Sequence, residues 1–368
     1  MPAQGIRTFR LATGLDQDAY HDWFKDMGPI YIGQISILLL LSISVWAISS
    51  ALGVSPGESQ AKKKVTLITF DVDGTLVQGS SDAASRSVHS RSFVSAVGKI
   101  FGGDEQFFKK GHPTAVIPSE KFHGCTDGLI ALNIAKFGLD LDPSDTFDKL
   151  QDVFNEMFDY VAAHSDDEVS KGIDALPGVI ENLKDIAKLR EEGGVLCGLV
   201  TGNVEGIARK KMRAVGVLAT QALSPPSEEQ LQRTWAGYEE CAFLGGFGSD
   251  YCSGDIEDAS RIYKDRGEQI LICVRRAQSM MGSDEKLGRV VHVGDAVADV
   301  MAARYCREHL DKDILVGCVG VGTGRWGVDQ LTEAAGVATE GYFEPIVLEE
   351  GIKDSRFMEY CFPKRGRL

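Results

Sequence analysis

The chain alternates between continuous apolar runs and segments in which apolar residues recur every three or four positions. The longest run comes first. Between Gly28 and Gly57 there is no Asp, Glu, Lys or Arg, and residues 30–52 are dominated by Ile, Leu, Val, Trp and Ala. A helix needs roughly 20 apolar residues to cross about 30 Å of hydrocarbon, so this run predicts a single N-terminal transmembrane helix. Its serines are tolerable because hydroxyls can bond the preceding turn. Four shorter runs, Val65–Phe70, Val195–Val200, Arg289–Val293 and Ile314–Val319, are rich in β-branched residues. They predict strands buried on both faces of a sheet. Between 79 and 167, the segments DGLIALNIAKFGL and FDKLQDVFNEMFDYVAAH show the 3.6-residue spacing of amphipathic helices.

Two other readings of the first run stay open. It could be a targeting sequence cleaved near Ser49 and Ala51, a small-x-small pattern, although the leader before it carries Asp16, Asp18, Asp22 and Asp26. It could also be a buried globular helix, but no neighbouring segment would cover it. Lys62, Lys63 and Lys64 lie closer to the run than Arg7, Arg10 and Lys25 do. That asymmetry points to a membrane-anchored protein with a cytoplasmic catalytic domain, the alternative being organelle targeting after cleavage. GVSPGESQAKKK reads as a linker.

Composition narrows the picture only slightly. A chain of 368 residues, 43% apolar and 25% charged, holds two modest globular domains or one domain with an insert. The net charge of -14 and the lack of a compact Lys/Arg stripe argue against a nucleic-acid partner. Eight scattered cysteines form no C-x-x-C pair and no zinc spacing. They read as small core hydrophobes in a reducing compartment.

The chemistry sits where the strands stop. Val65–Phe70 runs into Asp71-Val72-Asp73-Gly74-Thr75, and two carboxylates two positions apart on an extended chain face the same side. They share a site at the carboxyl end of a strand, where open α/β sheets bind ligands. Gly74 lets the chain leave that site sharply. The second strand ends in Thr201-Gly202-Asn203, a hydroxyl with backbone N–H groups suited to a phosphate oxygen. The third ends in Gly294-Asp295, and a helix starting there would return Asp299 to the same side.

These three strand ends, in this order, resemble the haloacid dehalogenase superfamily. The resemblance implies a doubly wound, Rossmann-like α/β core over 65–78 and 168–368, with 79–167 as a helical cap and 1–64 as leader, anchor and linker. It implies a Mg²⁺-dependent phosphatase acting through an aspartyl-phosphate. Asp71 would be the nucleophile and Asp73 the acid and base, a role that needs a raised pKa. Asp71, Asp295 and the backbone carbonyl of Asp73 would hold the metal, with Asp299 joining directly or through water. Thr201 and a cation would stabilise the phosphoryl oxygens, with Gly74, Thr75, Gly202 and Asn203 around the substrate. A phosphomutase of the same superfamily and a catalytically silent, membrane-anchored binding module remain the alternatives.

The cation departs from the commonest pattern, since no Lys-Pro precedes the third strand. The stretch GLVTGNVEGIARKKMRAVGV instead resembles a phosphoglycolate-phosphatase-like branch whose lysine lies on the helix after the threonine, here Lys211. Arg209 and Lys210 compete, because only one of three successive helical residues can face the site. Gly245–Tyr251 also resembles that branch and should carry a strand, while 223–240 reads as a surface insertion. In the cap, Phe122–Asp127 resembles the specificity loop, which would make Thr126 and Asp127 substrate-binding; both also suit an ordinary helix start. A closed cap implies a small phosphorylated metabolite as substrate. Two further signals are set aside. Gly322–Gly327 fits G-x-G-x-x-G but comes too late for a dinucleotide fold, and His292 reads as a satisfied core residue.

Overall fold

The computed structural model describes residues 62–79, 87–103, 115–118, 121–223, 244–336 and 343–363. The 30–52 segment and nearly all of 223–240 therefore lie outside the described residues. Among those described, no helix is long and apolar enough to cross a membrane.

The strands are β1 (Lys63–Phe70), β2 (Val77–Gly79), β3 (Ile173–Ala175), β4 (Val195–Thr201), β5 (Gly245–Phe247), β6 (Glu285–Gly294), β7 (Leu315–Val321) and β8 (Phe343–Leu348). Six of them form one sheet in the order β5-β4-β1-β6-β7-β8. The pairings β1–β4, β4–β5, β6–β7 and β7–β8 are all parallel. The strands seen in the sequence are present but longer. β6 starts at Glu285, out of a turn closed by Glu285 N–H donating to Gly282 O, and β7 continues to Val321 because Gly320 and Val321 pair with Val347 and Leu348.

The main helices are α1 (Val88–Phe101), α2 (Asp127–Leu139), α3 (Leu150–Ala162), α4 (Asp166–Ser170), α5 (Val179–Glu191), α6 (Glu205–Ala214), α7 (Arg261–Met280), α8 (Val297–His309), α9 (Val328–Ala335) and α10 (Arg356–Cys361). Alternate strand residues face opposite layers, as a pleated sheet requires. Phe70, Cys197, Leu199, Val291 and Val319 pack with α5, α6 and α10. Leu67, Val200 and Val290 pack with α7 and α8 on the other face. The sheet is thus covered on both sides, and its carboxyl ends converge on one edge.

The chain leaves this core at β2 and returns at β3, and the two crossings pair as an antiparallel ribbon. Between them α1, α2 and α3 bury an apolar cluster that also takes in Val204, Ile207 and Ile256 from the core. Val204 and Ile207 are fully buried, each contributing about 1.5–3 kcal/mol to holding the insertion in place. This shared interior explains why α2 is apolar almost all round. It is covered by other insertion helices on one side and by core loops on the other.

Candidate active site

β1, β4 and β6 deliver Asp71, Thr201 and Asp295 to the same end of the sheet. Asp71, Asp295 and Asp299 are all buried and offer carboxylate oxygens within 4.8 Å of one another. The β1 exit is locked by Asp71 N–H donating to Val293 O at 2.8 Å and by a turn in which Gly74 N–H donates to Val77 O at 2.7 Å. Gly74 is needed twice here. Its φ of +86° is one that L residues avoid, and a Cβ would lie 2.4 Å from Asp295 Oδ2. Thr75 is buried and its hydroxyl faces Asp295 Oδ1 at 3.4 Å, so it supports the acidic cluster from beneath.

Crowding of three carboxylates sets their acidities. Burial pushes Asp71 up to about 6, with Asp299 and Asp73 adding to it and Arg266 opposing. Burial also raises Asp295 well above its ordinary value, reinforced by Asp299 and Asp71. Asp299 is equally buried, but the Arg266 guanidinium and His292 hold it below its usual value. The cluster therefore carries more negative charge than its surroundings neutralise. All its donors are hard oxygens, and the backbone at Gly74 and Gly324 closes tightly on Asp295, where a Gly324 Cβ would lie 1.6 Å from Oδ2. These features fit a small divalent cation such as Mg²⁺.

Asp299 is positioned by α8. Its Oδ2 accepts from Ala296 N–H at 3.0 Å, and Oδ1 lies 3.3 Å from His292 Nε2. His292 is fully buried, with Nδ1 3.0 Å from Thr69 Oγ1. It is a satisfied core residue that also orients a carboxylate.

Lys211 reaches the site from α6. Its Nζ donates to both oxygens of Asp73 at 2.8 Å and to Asn203 Oδ1 at 2.9 Å, and Asn203 Nδ2 donates to Asp73 Oδ2 at 3.1 Å. Lys210 turns away to Asp166 at 3.0 Å, beside Arg213. One expectation is corrected by this arrangement. Although desolvation opposes it, Lys211, followed by His89 and the two side-chain hydrogen bonds, holds Asp73 below its ordinary value rather than above it. The Asp73 side chain is 52% accessible, so the direction rests chiefly on the lysine in contact with it.

Thr201, Gly202 and Asn203 line a cavity of about 310 Å³ with Asp71, Asp73 and Lys211. Thr126 does not line it. Thr126 is buried, and its hydroxyl caps α2 by accepting from Leu129 N–H at 3.3 Å. Asp127 lines the cavity, but its Oδ2 accepts from Val204 N–H at 2.8 Å and meets His89 Nε2 at 3.1 Å. Its own N–H donates to Gly202 O at 2.8 Å. These two residues dock the insertion on the β4 loop, and polar side chains do so here because they satisfy backbone groups left open at helix starts.

A model of the haloacid dehalogenase-like hydrolases matches residues 65–307. The chain belongs to that family. Among solved structures, an archaeal beta-phosphoglucomutase from the hyperthermophilic Pyrococcus sp. strain ST 04 is similar over 70% of this chain and 86% of its own. The identity is 14% and the TM-score 0.28, too remote to speak for function. A search of curated proteins finds no match.

Two parts of this site were not assigned to it from the sequence. Arg266, on α7, places Nη1 2.7 Å from Asp71 Oδ1, 3.1 Å from Asp299 Oδ1 and 3.3 Å from Val200 O, with its side chain 4% accessible. Its Nε is buried without a hydrogen-bond partner among the described residues. A signal existed. Asp265, Arg266 and Gln269 continue the buried stripe of Ile270, Cys273, Val274 and Ala277 back by one turn, and polar residues on a buried stripe are placed there for contacts. The second part is the loop Gly322–Gly327. Thr323 Oγ1 donates to Gly74 O at 2.7 Å, and Arg325 and Trp326 line the cavity.

Proposed function

We propose that this hydrolase is a Mg²⁺-dependent phosphatase that moves the phosphoryl group of a small-molecule monoester first to Asp71 and then to water. The observation that carries the reading is the convergence of Asp71, Asp295 and Asp299 with two buried cations, Lys211 and Arg266, at one cavity.

Asp71 is the nucleophile because it ends the central strand and has both an acidic cluster and a cation against it. Its carboxylate attacks phosphorus, the bond from phosphorus to the alcohol oxygen breaks, and that oxygen needs a proton. Asp73 stands beside it to give one. Lys211 holds Asp73 ionised at rest, so the phosphoryl oxygens must draw Lys211 toward themselves for Asp73 to carry the proton. In the second step Asp73 is a carboxylate again, the charge state that Lys211 favours, and takes a proton from the attacking water. Thr201 and Arg266 face the same phosphoryl oxygens, and the unpartnered Arg266 Nε is a donor they could use. Asp71, Asp295 and the Asp73 carbonyl, with Asp299 directly or through water, would hold Mg²⁺, which when bound supplies positive charge against the developing charge on the phosphoryl group.

The branch that the α6 lysine resembles makes phosphoglycolate the first substrate to try. Phosphate release by the full chain, from phosphoglycolate, p-nitrophenyl phosphate and a set of phosphometabolites, with Mg²⁺ or with EDTA, tests the reading. Metal-dependent turnover lost in Asp71→Asn supports it, whereas turnover that survives in the variant removes it. The uncharged apolar 30–52 run supports a membrane anchor with the catalytic domain on the cytoplasmic side, organelle targeting after cleavage being the alternative. Recovery of the chain in the soluble fraction after cell lysis would contradict that.

A further inference from the structure

The cavity above the three carboxylates does not end at the phosphoryl position. A second chamber of about 450 Å³ adjoins it. The two share His123 and Gly124 of the docking loop, Ala296 next to Asp295, and Arg325 and Trp326 of the loop after β7. Around Asp71 the first chamber is walled by aspartates, Lys211, Arg266, Thr201 and Asn203, with Phe93, Phe122, Ile130 and Ile173 also on its lining. The second differs in kind. Its walls are Ile262 and Tyr263 from the start of α7, Val297, Ala298 and Met301 from α8, and Trp326. The loop packs closely on α7 and α8 at Gly124, where a Cβ would sit 3.3 Å from Ala298 Cβ and 3.4 Å from Ile262 Cγ2.

We propose that this second chamber receives the alcohol portion of the substrate, and that the substrate is a phosphate monoester whose alcohol carries an apolar ring. The inference rests on the phosphatase reading and names its substrate class. Phosphoglycolate is spent within the first chamber, because its only other group is a carboxylate, and it would leave the second chamber to water. Apolar walls beside a charged site gain when a ligand excludes that water. The Trp326 and Tyr263 rings offer faces and edges to a flat group, a contact that adds to simple burial. Both chambers are lined by Ala296, one residue from Asp295, so a monoester spanning them would hold phosphoryl and ring at once.

Binding of two phosphonates that cannot be hydrolysed, methylphosphonate and 1-naphthylmethylphosphonate, separates the claims. Calorimetry on the full chain with Mg²⁺ should show the naphthyl compound binding at least about tenfold tighter, roughly 1.4 kcal/mol. Ile262→Trp, which fills the chamber, and Met301→Glu, which puts a charge on its wall, should each remove that preference and leave methylphosphonate affinity unchanged. Thermal melts identify a variant that has merely lost its fold, and the second variant then decides. Equal affinity for both compounds in the wild type overturns the proposal, as does a preference that persists in both variants. A chamber covered by another part of the chain gives the same equal affinities and counts against it. Failure of both phosphonates to bind would instead overturn the phosphatase reading beneath it, and failure of the naphthyl compound alone overturns the proposal.

Discussion

Arg266 Nη1 lies 2.7 Å from Asp71 Oδ1, so the residue proposed as nucleophile is already paired with a buried guanidinium. The same nitrogen is 3.1 Å from Asp299 Oδ1. One arginine thus compensates two members of the acidic cluster and leaves Asp295 the least compensated. Removing it strands charge in a buried site, which typically costs about 3–5 kcal/mol. Arg266→Met should melt well below the wild type in EDTA, and Mg²⁺ should recover more stability in the variant than in the wild type. Melting curves with and without metal check this. An equal metal response in both proteins would mean that Arg266 and the cation do not share these carboxylates.

Lys211 and Lys210 are neighbours in sequence with different partners, Asp73 and Asp166. Lys211→Met should lower kcat by about 10²–10³, the usual scale for losing a group that stabilises transferring charge. Lys210→Met removes a contact between α6 and α4 and should shift stability by about 1 kcal/mol or less, since Asp166 is partly solvated. Its kcat should stay within about threefold. Steady-state kinetics on the two variants tells them apart, and similar losses in both would break the assignment.

Gly324 is held to its identity by Asp295. An alanine Cβ would lie 1.6 Å from Asp295 Oδ2, whereas at Gly327 the nearest atom is 3.8 Å away. Gly324→Ala should push the carboxylate aside and weaken Mg²⁺ binding by about tenfold or more, the scale seen when a metal ligand loses its support. Gly327→Ala should bind metal as the wild type does. Calorimetric titration with Mg²⁺ gives both values directly.

Asp265 is fully buried, and burial lifts it from 3.8 to about 6 against two hydrogen bonds from Ser253. The folded chain therefore keeps a proton between about pH 4 and 6 that the unfolded chain has lost. An acid with a raised folded pKa makes stability fall as pH rises through that window. The shift corresponds to a few kcal/mol at most, on the order of 1.4 per unit. Asp265→Asn should make the decline between pH 4 and 6 shallower, the remainder coming from Asp71 and Asp295, as measured by urea unfolding across that range. A decline as steep as that of the wild type would assign it to other groups.

The strand ends were readable because buried parallel strands are unbroken apolar runs, and a polar residue that stops such a run is conspicuous. Asp71, Thr201 and Asp295 stand out for that reason. Arg266 was hidden because α7 opens with a polar run, RIYKDRGEQ, that looks like a solvated helix face. Only the fold shows that its first turns lie against the carboxyl ends of β4 and β1. Thr323 was hidden differently. Its partner is the Gly74 carbonyl, 249 residues away, and a side chain that binds a backbone oxygen leaves no pattern in its own surroundings. The capping roles of Thr126 and Asp127 were visible as a possibility, since Ser, Thr and Asp favour helix starts. That Asp127 also satisfies Val204 N–H depends on how the insertion docks, which local sequence does not encode.

The account stands on Asp71 receiving the phosphoryl group, and acid-quenched mass spectrometry of the working enzyme tests that step most directly. After brief mixing of the full chain with p-nitrophenyl phosphate and Mg²⁺, the peptide containing Asp71 should carry the added mass of one phosphoryl group. The label should fade as substrate is exhausted, be absent in EDTA, and be absent in Asp71→Asn. A phosphoryl group found on another residue, or steady turnover with an Asp71 that is never labelled, would contradict it.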